Sequence, residues 1–169
     1  MTDRLFVLDA NVFIEAHKRY YGLGLCPGFW KCLRFYGKGQ KLLSIDRVRQ
    51  ELLQLPDALS QWVKETPKAL FVSSAEPEVS SAFEEMSTWV HANTQFRTEA
   101  KEEFARAADG WLAAYAKVQR AKVVTFEQYR PYVKRRVPLG NVCHQFGVPM
   151  VDTFSMLRDL EVRFDWTRE

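Results

Sequence analysis

Four acidic residues of this chain could do chemistry together if the fold gathers them. They are Asp9, Glu51, Asp109 and Glu127. Carboxylates held close together repel one another and raise one another's pKa, so we expect such a group only around cations. Oxygen ligands without histidine or cysteine favour Mg²⁺ or Mn²⁺. One or two of these ions could activate a water and stabilise the leaving oxygen of a phosphodiester.

Asp9 directly follows the apolar run Leu5–Leu8. Four apolar residues without interruption predict a strand that is covered on both faces, as in a parallel sheet between helices. Ligands of open α/β sheets bind beyond the carboxyl ends of the strands, where this acid would lie. As an alternative, Asp9, or Asn11 two residues later, could simply cap the helix that begins there.

Glu51 and Asp109 fall within helical patterns. Glu51 lies on or beside the apolar face of its helix, where a charge is costly unless the side chain reaches solvent or pairs with Arg47. Asp109 falls in the alanine-rich stripe of a helical stretch predicted over residues 99–120. It could equally be the N-cap of a new helix. Both interpretations of Asp109 place an inward-pointing acid near a helix end.

Glu127 follows another apolar run, Val123–Thr125, and so takes the same place as Asp9 at the end of a second predicted strand. The segment after it interleaves tyrosines with four cations: Arg130, Lys134, Arg135 and Arg136. Basic residues among aromatic ones could hold a phosphate backbone and stack on a base. A solvated loop is the simpler alternative for the same residues.

The remaining pattern alternates strands with helices. Further short strands are predicted at Leu42–Ile45, Leu70–Val72 and Val148–Val151, and apolar residues recur with helical spacing between them. The sequence therefore predicts a single α/β domain over residues 1–169, with helices on both faces of a short, mostly parallel sheet. Asp152 ends the last predicted strand, where it would cap a helix or support the site.

Composition excludes several classes of protein. An apolar fraction of 47% and an aromatic fraction of 14% indicate a globular chain. No run approaches the roughly 20 apolar residues of a membrane span, and the N-terminus lacks the apolar region of a signal peptide, so we expect a cytoplasmic protein. The three cysteines form no C-x-x-C pair, which disfavours disulfides and zinc. A net charge of +3 is compatible with binding nucleic acid.

The sequence resembles PIN-domain proteins, and more closely an uncharacterised family of PIN-like prokaryotic proteins related to the VapC-type toxins of toxin–antitoxin pairs. The resemblance is carried by VLDANVFI (Val7–Ile14), Glu51, Asp109, VVTFE (Val123–Glu127), LRFYGKG and the closing run Val148–Arg158. PIN domains are three-layer α/β/α folds with a parallel sheet. Many are Mg²⁺- or Mn²⁺-dependent ribonucleases with three or four acids in one pocket.

The resemblance implies a role for each matching residue. The implied metal ligands are Asp9, Asp109 and Glu127. Glu51 would bind a second ion or orient the attacking water. Asn11 would hydrogen-bond within the first turn and fix Asp9, while Thr125 would support the pocket from its strand. PIN domains more often carry aspartate in the place of Glu127, so this longer side chain departs from the family pattern.

Two hypotheses of function remain open at this point. The first is a metal-dependent endoribonuclease, the toxin of a type II pair or a relative of one, with RNA as substrate and an antitoxin and a second copy of the chain as partners. The second is a PIN-like RNA-binding or scaffold module that has lost activity, which the presence of all four acids disfavours. A third hypothesis, a phosphatase with Asp9 as nucleophile, is disfavoured because such enzymes need a second aspartate at the position where this chain has Asn11.

Overall fold

Five parallel strands form the centre of the protein, for which a computed structural model describes residues 5–168. The strands are β1 (Phe6–Leu8), β2 (Leu42–Ile45), β3 (Phe71–Val72), β4 (Lys122–Val124) and β5 (Met150–Val151). Their order is β3-β2-β1-β4-β5, so the first strand lies in the middle of the sheet. Every pairing is parallel. All carboxyl ends therefore meet at one edge, as a ligand site in an open α/β sheet requires.

Helices cover both faces of this sheet and complete the predicted three-layer α/β/α fold. Within residues 5–168 the α-helices are α1 (Ala10–Glu15), α2 (Pro27–Lys38), α3 (Asp46–Leu53), α4 (Ala58–Glu65), α5 (Pro77–Ala92), α6 (Thr98–Arg106), α7 (Asp109–Gln119), α8 (Leu139–Gln145) and α9 (Thr153–Asp159). A π-helical turn, Ala16–Tyr20, continues α1, and a 3₁₀ turn, Lys68–Leu70, precedes β3. In the described part of the chain, no helix is both long and apolar enough to cross a membrane.

The inner strands are buried on both faces, as their uninterrupted apolar sequences predict. Val7 and Leu8 of β1 are fully buried, and so are Val123 and Val124 of β4. Their register sets Leu8 beside Val124. The residues that follow these two, Asp9 and Thr125, are therefore neighbours at the carboxyl edge of the sheet.

The helical stretch predicted over residues 99–120 is two helices, because the chain bends between α6 and α7. Gly110 lies at the close approach: a Cβ atom there would come within 2.7 Å of the Phe104 ring and 2.8 Å of the Phe83 ring. Asp109 is the first residue of the new helix, but Ala108 and not Asp109 occupies the N-cap position, so the prediction of Asp109 as N-cap is wrong by one residue. Asp152 does cap α9, accepting from Ser155 N–H at 2.7 Å.

Candidate active site

Asp9 lies at the end of the central strand, and only 2% of its surface is exposed. Its backbone N–H donates to the carbonyl oxygen of Val124 at 3.0 Å, which extends the β1–β4 ladder by one residue. The Thr125 hydroxyl donates to Asp9 Oδ2, also at 3.0 Å. Although Asp9 directly precedes α1, its side chain makes no capping hydrogen bond. Capping therefore does not explain this buried carboxylate.

Glu127 reaches the same place from beyond β4. Its backbone N–H donates to the Thr125 hydroxyl oxygen at 3.0 Å, so one hydroxyl links it to Asp9. The Glu127 carboxylate forms an ion pair with Arg136 through Oε1, and its Oε2 accepts from the backbone N–H of Leu139 at 2.7 Å. Both oxygens are thus engaged, and only 14% of the side chain is exposed.

Glu51 and Asp109 approach from the helices. Glu51 extends from α3 to the turn between α6 and α7, where its Oε1 accepts from the backbone N–H of Ala108 at 3.2 Å. Its carboxylate thereby lies next to Asp109. The alternative pairing of Glu51 with Arg47 is not formed, because the Arg47 guanidinium lies over the Trp111 ring at 4.0 Å. The other alternative, that Glu51 reaches solvent, is confirmed, because Glu51 is exposed.

The electrostatics show that the four carboxylates act on one another, and we call them the acid cluster. Burial raises the pKa of Asp9 to about 7, and the charges of Glu127 and Glu51 contribute in the same direction. Burial also raises the pKa of Asp109 to about 8, with contributions from Asp9, Glu127 and Glu51. The Thr125 hydrogen bond lowers the pKa of Asp9, and Arg136 lowers that of Asp109. The distant acids of the sequence therefore converge at one edge of the sheet.

The donor chemistry of the acid cluster fits a hard divalent cation, because burial raises the pKa of Asp9 and Asp109 and the charge of Arg136 offsets this only in part, at Asp109. Within residues 5–168, however, no three histidine, cysteine, aspartate or glutamate side chains are already arranged as ligands of one ion. Glu127 is turned towards Arg136, and Glu51 towards Ala108. An ion could engage the whole cluster only after these two side chains turn.

Thr125 and Asn11 were both expected to support Asp9, and the structure places them differently. Thr125 is buried and bonds to Asp9. Asn11 is exposed, and its side chain lines a neighbouring cleft. Among the residues that the structure describes, the side-chain donor to Asp9 is Thr125, so the role expected for Asn11 is taken by the threonine.

A cleft of about 450 Å³ opens beside Glu127. Its walls include the rings of Tyr20 and Phe126 and the cations Arg19, Arg130 and Arg136. Arg19 pairs with Glu15 at 3.1 Å, one helical turn before it. Tyr20 and Phe126 could not be predicted as part of the site, because nothing in their spacing shows that the end of α1 meets the segment after β4.

The segment that joins β4 to α8 carries Arg130, Lys134, Arg135 and Arg136, and we call it the basic segment. It is exposed, but its backbone is held in place. Asn141 accepts from the backbone N–H of Arg130 at 2.8 Å and donates to its carbonyl oxygen at 2.9 Å. Gln95 donates to the carbonyl oxygen of Val133 at 2.8 Å. Arg130, Lys134 and Arg135 are exposed. Their side chains are solvated, as the simpler alternative predicts, although the backbone that carries them is fixed.

Comparison with known proteins identifies the family of this chain but no activity. A family model described as "Domain of unknown function (DUF4411)" matches residues 6–164. No curated protein and no solved structure matches the chain. The matched segment contains the acid cluster, the cleft and the basic segment.

Proposed function

This chain belongs to the DUF4411 family, whose function is unknown, and we propose from its site that it is a metal-dependent endoribonuclease related to PIN-domain enzymes. The observation that carries the proposal is the convergence of Asp9, Asp109, Glu51 and Glu127 at the carboxyl edge of a parallel sheet, where two of them have strongly raised pKa values. A cluster of this kind is costly to fold without a cation.

Asp9, Asp109 and Glu127 would hold Mg²⁺ or Mn²⁺, with Glu51 at a second ion or at the attacking water. When bound, the ion supplies an activated water and neutralises charge on the phosphodiester. The chain's own contribution is positional: Thr125 fixes the carboxylate of Asp9, while Glu51 would leave the backbone N–H of Ala108 to reach the ion or the water.

In the proposed enzyme, Arg136 is a counter-ion of the acid cluster. It pairs with Glu127 and lowers the pKa of Asp109, so it partly neutralises the acid cluster. Just over half of its side chain, 53%, is exposed, which leaves it free to swing outward. We propose that Arg136 turns from Glu127 to a substrate phosphate when a metal ion engages the carboxylates, since guanidinium groups bind both kinds of anion.

RNA is the proposed substrate because cations surround the acid cluster on its open side. Arg130 and Arg136 line the cleft, and Lys134 and Arg135 extend the positive charge along the fixed segment. Side chains of this type bind a phosphate backbone without reading its sequence. The resemblance to VapC-type toxins extends the proposal to a cytoplasmic toxin, whose antitoxin would cover the acid cluster and which would pair with a second copy of itself.

A second candidate function is an RNA-binding module without catalysis. The ion pair between Glu127 and Arg136 favours it, because a cluster that its own cation partly neutralises has less need of a metal. The two candidates differ in whether RNA is cleaved.

Incubation of RNA with Mn²⁺ and the purified protein separates the candidates. The Asp9→Asn variant removes a cluster carboxylate, and Asp159→Asn is a matched control because Asp159 is an exposed acid that pairs with Lys122 away from the cluster. The ribonuclease proposal predicts cleavage by the parent and by Asp159→Asn but not by Asp9→Asn. Equal RNA loss with all three proteins would contradict it and indicate contamination.

A further inference from the structure

We infer that Tyr20 is a stacking platform for one nucleobase of single-stranded RNA in the cleft beside the acid cluster. The inference rests on the proposed function and deepens it, because it specifies the form of RNA that the site accepts. Its evidence comes from residues that do not belong to the acid cluster: a π-helical turn, three aromatic rings and the cleft itself.

The π-helical turn at the end of α1 places Tyr20 in the cleft. The turn spans Ala16–Tyr20 and closes with a hydrogen bond from the backbone N–H of Tyr21 to the carbonyl oxygen of Ala16 at 2.7 Å. The indole N–H of Trp30 then donates to the carbonyl oxygen of Tyr21 at 2.6 Å and anchors the turn to α2. π-Helical turns are rare and are frequent at functional sites, where the extra residue redirects a side chain.

Two neighbouring rings brace Tyr20 without covering it. The Phe154 ring meets it edge-on, with centroids 5.3 Å apart, and the Phe126 ring lies tilted at 5.9 Å. Tyr20 nevertheless keeps 45% of its surface exposed, which is unusual for a ring in such a cluster. A ring that is already held in place loses little conformational freedom when a base stacks on it.

The cleft around Tyr20 has room for a nucleotide and carries arginines that could bind its phosphate. The cleft has a volume of about 450 Å³, and Glu127, Arg130 and Arg136 line it together with Tyr20. A base on Tyr20 would therefore leave its phosphate near both the cations and the acid cluster. Arg19 is already paired with Glu15 and Arg136 with Glu127, so the least compensated positive charge on the walls of the cleft is that of Arg130.

This arrangement selects single strands with little preference for sequence. Aromatic stacking accepts every base because each has a π face. Bases within a duplex are stacked on one another and are not available to a side chain in a cleft, so recognition of this kind targets unpaired segments. The expected ligand class is thus unpaired RNA, with at least one base turned towards Tyr20.

Fluorescence anisotropy with a labelled oligouridylate tests the inference, in EDTA so that the probe is not cleaved. Oligouridylate suits the test because its bases stack weakly on one another. Tyr20→Ala should weaken binding about tenfold, whereas Tyr20→Phe should retain it because the ring remains. Tyr132→Ala is the matched control: Tyr132 is 87% exposed in the basic segment but is not among the residues that line the cleft. A thermal unfolding curve checks that Tyr20→Ala is folded.

Equal binding by the parent and by folded Tyr20→Ala would overturn the inference, and so would an equal loss of binding in Tyr132→Ala. Parent binding of an abasic ribose-phosphate probe as tight as that of oligouridylate would also overturn it. A duplex probe that binds as tightly as the single strand at equal salt would also contradict it. Cleavage of RNA with Mn²⁺ is measured separately. Binding that depends on Tyr20, without cleavage, would refute the ribonuclease proposal and leave the stacking platform standing. Cleavage together with RNA binding that does not depend on Tyr20 would refute the stacking platform alone.

Discussion

Thr125 donates a hydrogen bond to Oδ2 of Asp9 at 3.0 Å and accepts one from the backbone N–H of Glu127 at 3.0 Å. A single buried hydroxyl thereby joins two acids of the cluster, one from the end of β1 and one from beyond β4. The parallel register of these strands makes this contact possible, since it sets Leu8 beside Val124. The local geometry of the site thus follows from the pairing of two short strands.

Thr125→Val should weaken metal binding without unfolding the protein. Valine keeps the shape of the side chain but removes the donor that lowers the pKa of Asp9, so more of this carboxyl is protonated at neutral pH. We expect the affinity for Mn²⁺ near pH 7 to fall by roughly tenfold, as for loss of a hydrogen bond to a charged group. Isothermal titration calorimetry measures it, with Thr125→Ser as the control that keeps the hydroxyl. Equal affinities of Thr125→Val and the parent would show that the hydroxyl does not tune Asp9.

The metal-free protein should lose stability as the pH rises. Folding raises the pKa of Asp9 from 3.8 to about 7 and that of Asp109 from 3.8 to about 8. The folded state therefore binds more protons than the unfolded state between about pH 4 and pH 8. The free energy of unfolding should fall across this window by more than about 1.4 kcal/mol, the equivalent of a pKa change of one, as urea unfolding at a series of pH values would measure.

Two controls accompany this pH series. The Asp109→Asn variant, which cannot ionise at this position, should flatten the decline, and Mg²⁺ should offset it at the alkaline end by binding the folded state. A free energy of unfolding for the metal-free parent that increases steadily from pH 4 to pH 8 would contradict the raised pKa values of both residues.

Arg136→Gln should tighten the binding of Mn²⁺. The Arg136 guanidinium competes for Glu127, and removal of a partly exposed ion pair is expected to change the metal affinity about two- to fivefold. Arg135→Gln, a change at the adjacent exposed cation, provides a control with the same loss of net charge. Weaker binding by Arg136→Gln than by Arg135→Gln would mean that the ion pair holds Glu127 ready for the metal and does not compete with it.

Asn141→Ala should loosen the basic segment. The Asn141 side chain exchanges two hydrogen bonds with the backbone of Arg130 and is 2% exposed, so its loss should cost about 2–4 kcal/mol. Limited digestion with trypsin should then cut the segment after Lys134 or Arg135 faster than in the parent. Gln95→Ala, which removes a donor to the carbonyl oxygens of Arg130 and Val133 in the same segment, should have a smaller effect because Gln95 is less buried. Unchanged digestion of Asn141→Ala would show that other contacts fix the segment.

The sequence predicted the parts of the site that depend on strands. Asp9 and Glu127 could be placed because each follows a buried apolar run, and parallel strands bring their carboxyl ends to one edge. The position of Asp109 was harder to predict, because the bend before it depends on how Phe104 and Phe83 pack around Gly110. Helical periodicity alone cannot reveal such a contact.

The parts that the sequence did not predict depend on contacts between distant segments. Arg136 belongs by its neighbours to a basic run, and only the fold turns it inward to Glu127. Tyr20 lies in a π-helical turn anchored by Trp30, and this local geometry departs from the α-helical pattern of the preceding residues. In both cases a tertiary contact determines the role of the residue more than its local sequence does.

Calorimetric titration with Mn²⁺ tests most directly whether the acid cluster is a metal site. The parent and the control Asp159→Asn should bind the ion with equal affinity, while Asp9→Asn and Asp109→Asn should each lose binding by at least about tenfold, because each removes a carboxylate of the acid cluster whose pKa is raised by burial. Binding that persists unchanged in both cluster variants, or absence of binding by the folded parent, would contradict the account.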